Sequence, residues 1–160
     1  MLVKDKAKLD ATEVLQLHGT GRFPVDPARI ARQMGLSVAK TMLAPNISGM
    51  LQVEPGATPQ IYVDHADVIH RQRFTIAHEL GHFYERVRRG DTDFNFIDRR
   101  GGQYDVHEFY ADEFAGNLLM PEDEVRRLWS QNDGLATMAD HFGVSLPAMK
   151  TRLKRLGMGR

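Results

Sequence analysis

The 160 residues include no cysteine, which excludes disulfides and any thiolate metal site. A transition metal held by this chain must take imidazole and carboxylate ligands, a donor set suited to zinc, manganese or iron. An excess of one charge is lacking too. The 21 basic and 21 acidic side chains cancel, so no whole-protein positive field gathers nucleic acid unselectively. No apolar run reaches the length of a membrane span, and residues 1–6 lack the apolar core of a signal peptide. The expectation is a cytoplasmic protein with no membrane contact. What remains is 42% hydrophobic and 26% charged, enough for one core in one domain with at most a small appendage.

Local patterning predicts an α+β chain. Residues 7–18 carry Leu9, Val14, Leu15 and Leu17 at helical spacings. Asp26 and Pro27 read as the cap and first turn of a short helix that Gly35 stops. Residues 36–42, 47–53 and 60–64 read as three short strands. The last two are joined through Pro55-Gly56, and together they predict a small antiparallel sheet. Helices follow over 68–86, 107–120, 122–129, 134–142 and 146–156. The polar stretch 87–106 is long for a connection inside a compact domain, so it is expected to be a functional lid or partly disordered. Its Phe94, Phe96 and Ile97 would anchor a partner or tether the loop to the core. The expected division is a main domain over 1–133, with a helix-turn-helix-like pair over 134–160 packed on it.

The chemistry concentrates in His78-Glu79-Leu80-Gly81-His82. Positions i and i+4 of a helix lie one turn apart on one face, so both imidazoles can meet one metal ion. Glu79 stands about 100° further round, beside the metal and suited to act as general base on its water. The competing interpretation of these five residues is a pair of surface or capping histidines on an amphipathic helix.

A catalytic zinc keeps three protein ligands and one open position. Without cysteine the third must be His, Asp or Glu, and the helix over 107–120 offers His107, Glu108 and Glu113. Glu108 is favoured because Asp112 shares its face. There Asp112 can accept a hydrogen bond from the far nitrogen of one histidine and fix its tautomer. A solvated acidic face is the alternative. Tyr104, His107 and Tyr110 are near enough in sequence to stabilise an oxyanion, although each suits a packing or surface role better.

Two longer segments extend the pentapeptide. The run from Arg71 through Phe83, Arg-Gln-Arg-Phe-Thr-Ile-Ala-His-Glu-Leu-Gly-His-Phe, resembles the zinc helix of the ImmA/IrrE metallopeptidase family. Residues 108–121, ending in Leu118-Leu119-Met120-Pro121, are similar to that family's second signature. Ser48-Gly49-Met50-Leu51 with Ile61-Tyr62-Val63-Asp64 resembles its hairpin. The match also takes in Pro24-Val25-Asp26 and Phe142-Gly143-Val144-Ser145, so it spans about residues 20–157. The resemblance implies zinc on His78, His82 and Glu108, with Glu79 as the catalytic glutamate. The implied partner is a helix-turn-helix repressor cleaved as substrate. Tyr110 departs from the family pattern, as does the Arg/Asp-rich stretch 87–102, and the latter leaves substrate choice open.

A substrate of such an enzyme would lie as an extended strand along a sheet edge, for which residues 49–53 or 60–64 are the candidates. The C-terminal pair is expected to expose Lys150, Arg152, Lys154 and Arg155. It could contact DNA, though closing the core or docking a partner is favoured. Two further classes stand against the peptidase: a non-catalytic, metal-containing module of a toxin–antitoxin or phage regulator, and a DNA-binding regulator.

Overall fold

The computed structural model describes residues 1–159. In chain order the elements are α1 (Val3–His18), α2 (Pro27–Gln33), β1 (Ser37–Thr41), β2 (Ile47–Val53), β3 (Gln60–Asp64), α3 (Ile69–Arg88), β4 (Phe94–Arg99), α4 (Val106–Leu119), α5 (Glu122–Ser130), α6 (Leu135–Phe142) and α7 (Leu146–Arg155). The α+β class holds. Asp26 caps α2 as expected, its carboxylate accepting from the Arg29 amide at 3.1 Å, and Gly35 turns the chain at φ +93°.

The sheet has four strands rather than three, in the order β1-β3-β2-β4. It is also mixed. β2 pairs antiparallel with β3 and β4, whereas β1 runs parallel to β3. Two chain reversals separate β1 from β3, so neighbours of that kind must be parallel. The fourth strand falls in the polar stretch expected to be a lid or disordered. Its burial alternates residue by residue, placing Phe94, Phe96 and Asp98 on the inner side. Phe94 and Phe96 pack against the core. β2 and β3 are interior strands, so neither is the substrate edge expected of them; on this side of the sheet the edge is β4.

Leu51, Val53, Ile61 and Val63 alternate inward from β2 and β3 and are buried, and α3 packs on these strands. At Gly49 of β2 a Cβ would meet Thr75 Cγ2 at 2.4 Å. Glycine there lets the sheet close on the turn of α3 that carries Glu79. α4 is apolar nearly all round, with Tyr110, Ala111, Phe114, Ala115 and Leu118 buried, because it is wedged between α1 and α3. Tyr110 serves that wedge: its hydroxyl donates to Asp10 of α1 at 2.6 Å.

The approach of α4 to α3 depends on Gly81. A Cβ at that position would lie 3.1 Å from Phe114 Cβ and 3.2 Å from the Ala111 Cα. Gly81→Val therefore forces the two helices apart and should cost about 2 kcal/mol by overpacking, read as a lowered denaturant midpoint at unchanged m.

The C-terminal pair is tied to the rest of the fold. Arg152 is not exposed as expected but buried, donating to the Met120 carbonyl at 3.0 Å and to Asn117 Oδ1 at 2.9 Å. Met120 ends α4, and its free carbonyl takes the guanidinium as a C-terminal partner. Arg155 pairs with Glu113 at 2.8 Å. Arg73 of α3 donates to the Gly143 and Phe142 carbonyls, fixing the turn between α6 and α7.

Candidate metal centre

Three segments converge beneath one cleft. α3 presents His78, Glu79 and His82 on its buried side, because the sheet covers one flank and α4 the other. Helical spacing brings the two imidazoles together, with Nε2 atoms 3.1 Å apart. Asp105 caps α4 by accepting from the His107 and Glu108 amides, which sets the first turn of α4 against α3. Glu108 in that turn reaches both imidazoles, Oε2 lying 2.9 Å from His78 Nε2 and Oε1 3.1 Å from His82 Nε2. One turn on, Asp112 Oδ1 lies 2.8 Å from His78 Nδ1, and the Tyr104 hydroxyl donates to Asp112 Oδ2 at 2.9 Å.

The third segment is β4. Asp98 places Oδ2 3.4 Å from His78 Nε2 and Oδ1 3.8 Å from His82 Nε2. Among the described residues, His78, His82, Asp98 and Glu108 form a group whose donor atoms all lie within 4.8 Å of one another. Asp98 is not among the ligands expected from the sequence. The available signal was the alternation Phe94-x-Phe96-x-Asp98, in which an acid occupies the next inward position after two aromatics. Phe96 itself stacks on the His82 ring at 4.0 Å between centroids.

The rival ligands are engaged elsewhere. Glu113 holds Arg155, and His107 Nδ1 lies 2.9 Å from Glu85 Oε1. Of the three residues considered for oxyanion binding, Tyr104 lines the cleft, a cavity of about 810 Å³ also bordered by Ser48, Thr75, Ile97 and Arg99. Tyr110 faces Asp10 instead.

The electrostatics call for a cation. Four carboxylates, those of Glu79, Asp98, Glu108 and Asp112, crowd two imidazoles. Glu79 is fully buried, and its polar neighbour is the Asp98 carboxylate, with which it hydrogen-bonds as long as one of the two acids keeps its proton. Burial pushes its carboxyl well above the usual range, and Asp98 adds to this while His78 opposes it. Burial works against a charged His78, but Asp112, Asp98 and Glu108 outweigh it and raise its pKa well above the usual value. His82 is raised in the same way, with Asp98 and Glu108 outweighing burial.

This donor set fits a tetrahedral divalent ion. Two ligand atoms each about 2.1 Å from such an ion lie about 3.4 Å apart, close to the 2.9–3.1 Å separations among His78, His82 and Glu108. The buried Glu79 carboxyl lies at the same centre, close to Asp98, His78 and Glu108. Because the imidazoles hold protons tightly without metal, a metal must displace them. Proton release should accompany binding, and apparent affinity should rise with pH through the range above the ordinary imidazole value in a competition titration.

The profile of a peptidase family, the IrrE N-terminal-like domain, matches residues 31–154. The chain belongs to this family. The match takes in all of α3, β4 and α4, so the IrrE-like domain contains every residue of the centre. Among solved structures, a Mycobacterium tuberculosis transcriptional regulator is similar, with a TM-score of 0.69 and 18% identity. The alignment covers 94% of this chain and 46% of that protein, so the chain spans about half the regulator's length. At this identity the likeness establishes the fold. No curated protein matches the chain. Among the described residues, no helix of this IrrE-like domain is long and apolar enough to cross a membrane.

Asp112 should matter to the centre without touching the ion. As partner of His78 Nδ1 it orients the ring and raises its basicity. Asp112→Asn should therefore weaken metal affinity by roughly 10- to 100-fold, measured by chelator competition, with little change in thermal stability of the apoprotein.

Proposed function

We propose that the chain is a zinc-dependent endopeptidase acting in the cytoplasm on a specific regulatory protein, of the helix-turn-helix repressor or antitoxin kind. The observation that carries this reading is the fully buried Glu79 carboxyl, facing Asp98 beside the convergent His78, His82 and Glu108. A general base needs such a position and a structural metal site does not. His78, His82 and Glu108 hold the ion, zinc by preference and manganese as a substitute, and Asp112 with Tyr104 holds His78 in its ligating tautomer. The ion, when bound, polarises the scissile carbonyl and lowers the pKa of an attacking water towards about 7.

Glu79 accepts the water proton on a carboxylate oxygen and returns it to the leaving amide nitrogen. Its burial excludes bulk water, which keeps the proton local and its basicity high. The substrate backbone lies along β4, the edge strand bordering the cleft, where unpaired amides and carbonyls take an extended peptide. The pair 134–159 belongs to the same folding unit and closes it. This reading follows from buried Arg152, a residue unavailable to DNA.

Comparison of cellular protein N-termini with wild type and Glu79→Gln tests the activity without a prior substrate. The expected result is one or a few new N-termini inside a regulatory protein with wild type alone. Identical sets in both would overturn the peptidase reading.

A further inference from the structure

The centre holds one carboxylate more than the peptidase reading uses. Three protein ligands leave a tetrahedral ion an open position, whereas four close it. Asp98 reaches toward both Nε2 atoms, at 3.4 and 3.8 Å, and offers a donor oxygen within the same 4.8 Å cluster as Glu108. It also stands next to Glu79, in the space where water and the substrate carbonyl would have to meet.

We propose that Asp98 is a displaceable fourth ligand, and that residues 97–102 form a strap that keeps the peptidase latent until an extended substrate segment takes the place of the Asp98 carboxylate. The proposal rests on the peptidase reading above. Three features make the seat displaceable rather than permanent. First, β4 is an edge strand bonded to β2 alone, so its loss exposes little ladder. Second, the two halves of the strand are held differently. Phe96, stacked on His82 and covered by Arg86, anchors the first half. The second half ends at Gly101, with φ +70°, followed by Gly102, and the exposed side chain of Ile97 does not bind it to the core. Third, Asp98 is the more loosely seated carboxylate, at 3.4 and 3.8 Å from the two Nε2 atoms where Glu108 lies at 2.9 and 3.1 Å.

The clasp that keeps the strap closed is polar and superficial. The Ser48 hydroxyl donates to the Asp98 carbonyl at 3.1 Å, the Arg100 amide donates to the Asn46 carbonyl at 2.7 Å, and the Arg100 guanidinium meets Asp67 at 2.8 Å. Each of these can be exchanged for water or for a peptide backbone at small net cost. The strand that offers its edge to the substrate is thus the strand that blocks the centre, which couples docking to unblocking.

Cobalt-loaded protein with acetohydroxamate as the probe reads the open position without requiring a substrate. Asp98→Ala should retain cobalt and bind acetohydroxamate at least tenfold more tightly than wild type, with a larger change in the visible spectrum. A second variant closes the strap instead. Met50 and Ile97 are cross-strand partners, and the chain has no other cysteine. The double variant Met50→Cys, Ile97→Cys should lose acetohydroxamate binding at least tenfold when oxidised and regain it on reduction. Equal affinities in wild type and Asp98→Ala, with cobalt bound in both, would overturn the strap and leave the peptidase reading standing. A hundredfold loss of cobalt in Asp98→Ala, with no gain in probe binding, would make Asp98 a permanent ligand and overturn both. Cobalt binding to wild type no better than to His78→Ala would also overturn both.

Discussion

Glu79→Gln should lower peptide-bond cleavage by roughly 100- to 10,000-fold, the range for loss of a positioned proton-transfer group, while metal content and fold are retained. Two features set the size and the selectivity of the effect. The side chain is fully buried against the Asp98 carboxylate, to which an isosteric amide can donate as the protonated acid does, so the substitution adds little strain. It also does not coordinate the cluster formed by His78, His82, Asp98 and Glu108, so the ion should stay. The neutral amide replaces a carboxyl that burial and Asp98 already push toward its neutral form, and the variant should be no less stable than wild type in thermal unfolding. A variant equally active in cleavage would remove Glu79 from the chemistry. One that lost its metal would instead make Glu79 a ligand.

The sequence and the structure agree best where geometry is local. His78 and His82 meet because four residues make one turn of helix, and Glu108 and Asp112 share a face of α4 for the same reason. That these faces oppose each other needed the second signature, ending in Leu118-Leu119-Met120-Pro121, and the family it resembles. Asp98 was not legible, because its place is set by non-local pairing: Asp98 stands opposite Gly49 of β2, and a stretch rich in Arg, Asp and Gly resembles a loop until that pairing is known. The same limit applies to Arg152. Helical spacing puts it among cations on an outward face, yet the carbonyl at the end of α4 and Asn117 draw it inside. The parallel pairing of β1 with β3 likewise depends on which strand inserts between which, and no residue of β1 declares that.

His82→Ala should have the second large effect, the loss of stoichiometric metal. His82 is fully buried, its Nε2 is 3.1 Å from both the His78 nitrogen and Glu108 Oε1, and its ring is fixed by Phe96. Apart from His78, already engaged, no imidazole among the described residues belongs to the cluster, so no side chain replaces it. Affinity should fall at least as far as the roughly 10- to 100-fold expected for Asp112→Asn, and cleavage should vanish with the ion. The variant also leaves a cavity beneath Phe96, so a loss of about 2 kcal/mol in apoprotein stability is expected alongside.

The most direct test of the account is the metal-to-protein ratio of purified, dialysed protein, measured by elemental analysis for wild type and for His78→Ala, His82→Ala and Glu108→Ala. The account predicts one divalent ion per wild-type chain, zinc foremost, and a ratio close to zero in each of the three variants. A wild-type chain that binds no ion, or variants that keep it, would contradict a metal centre built on these residues.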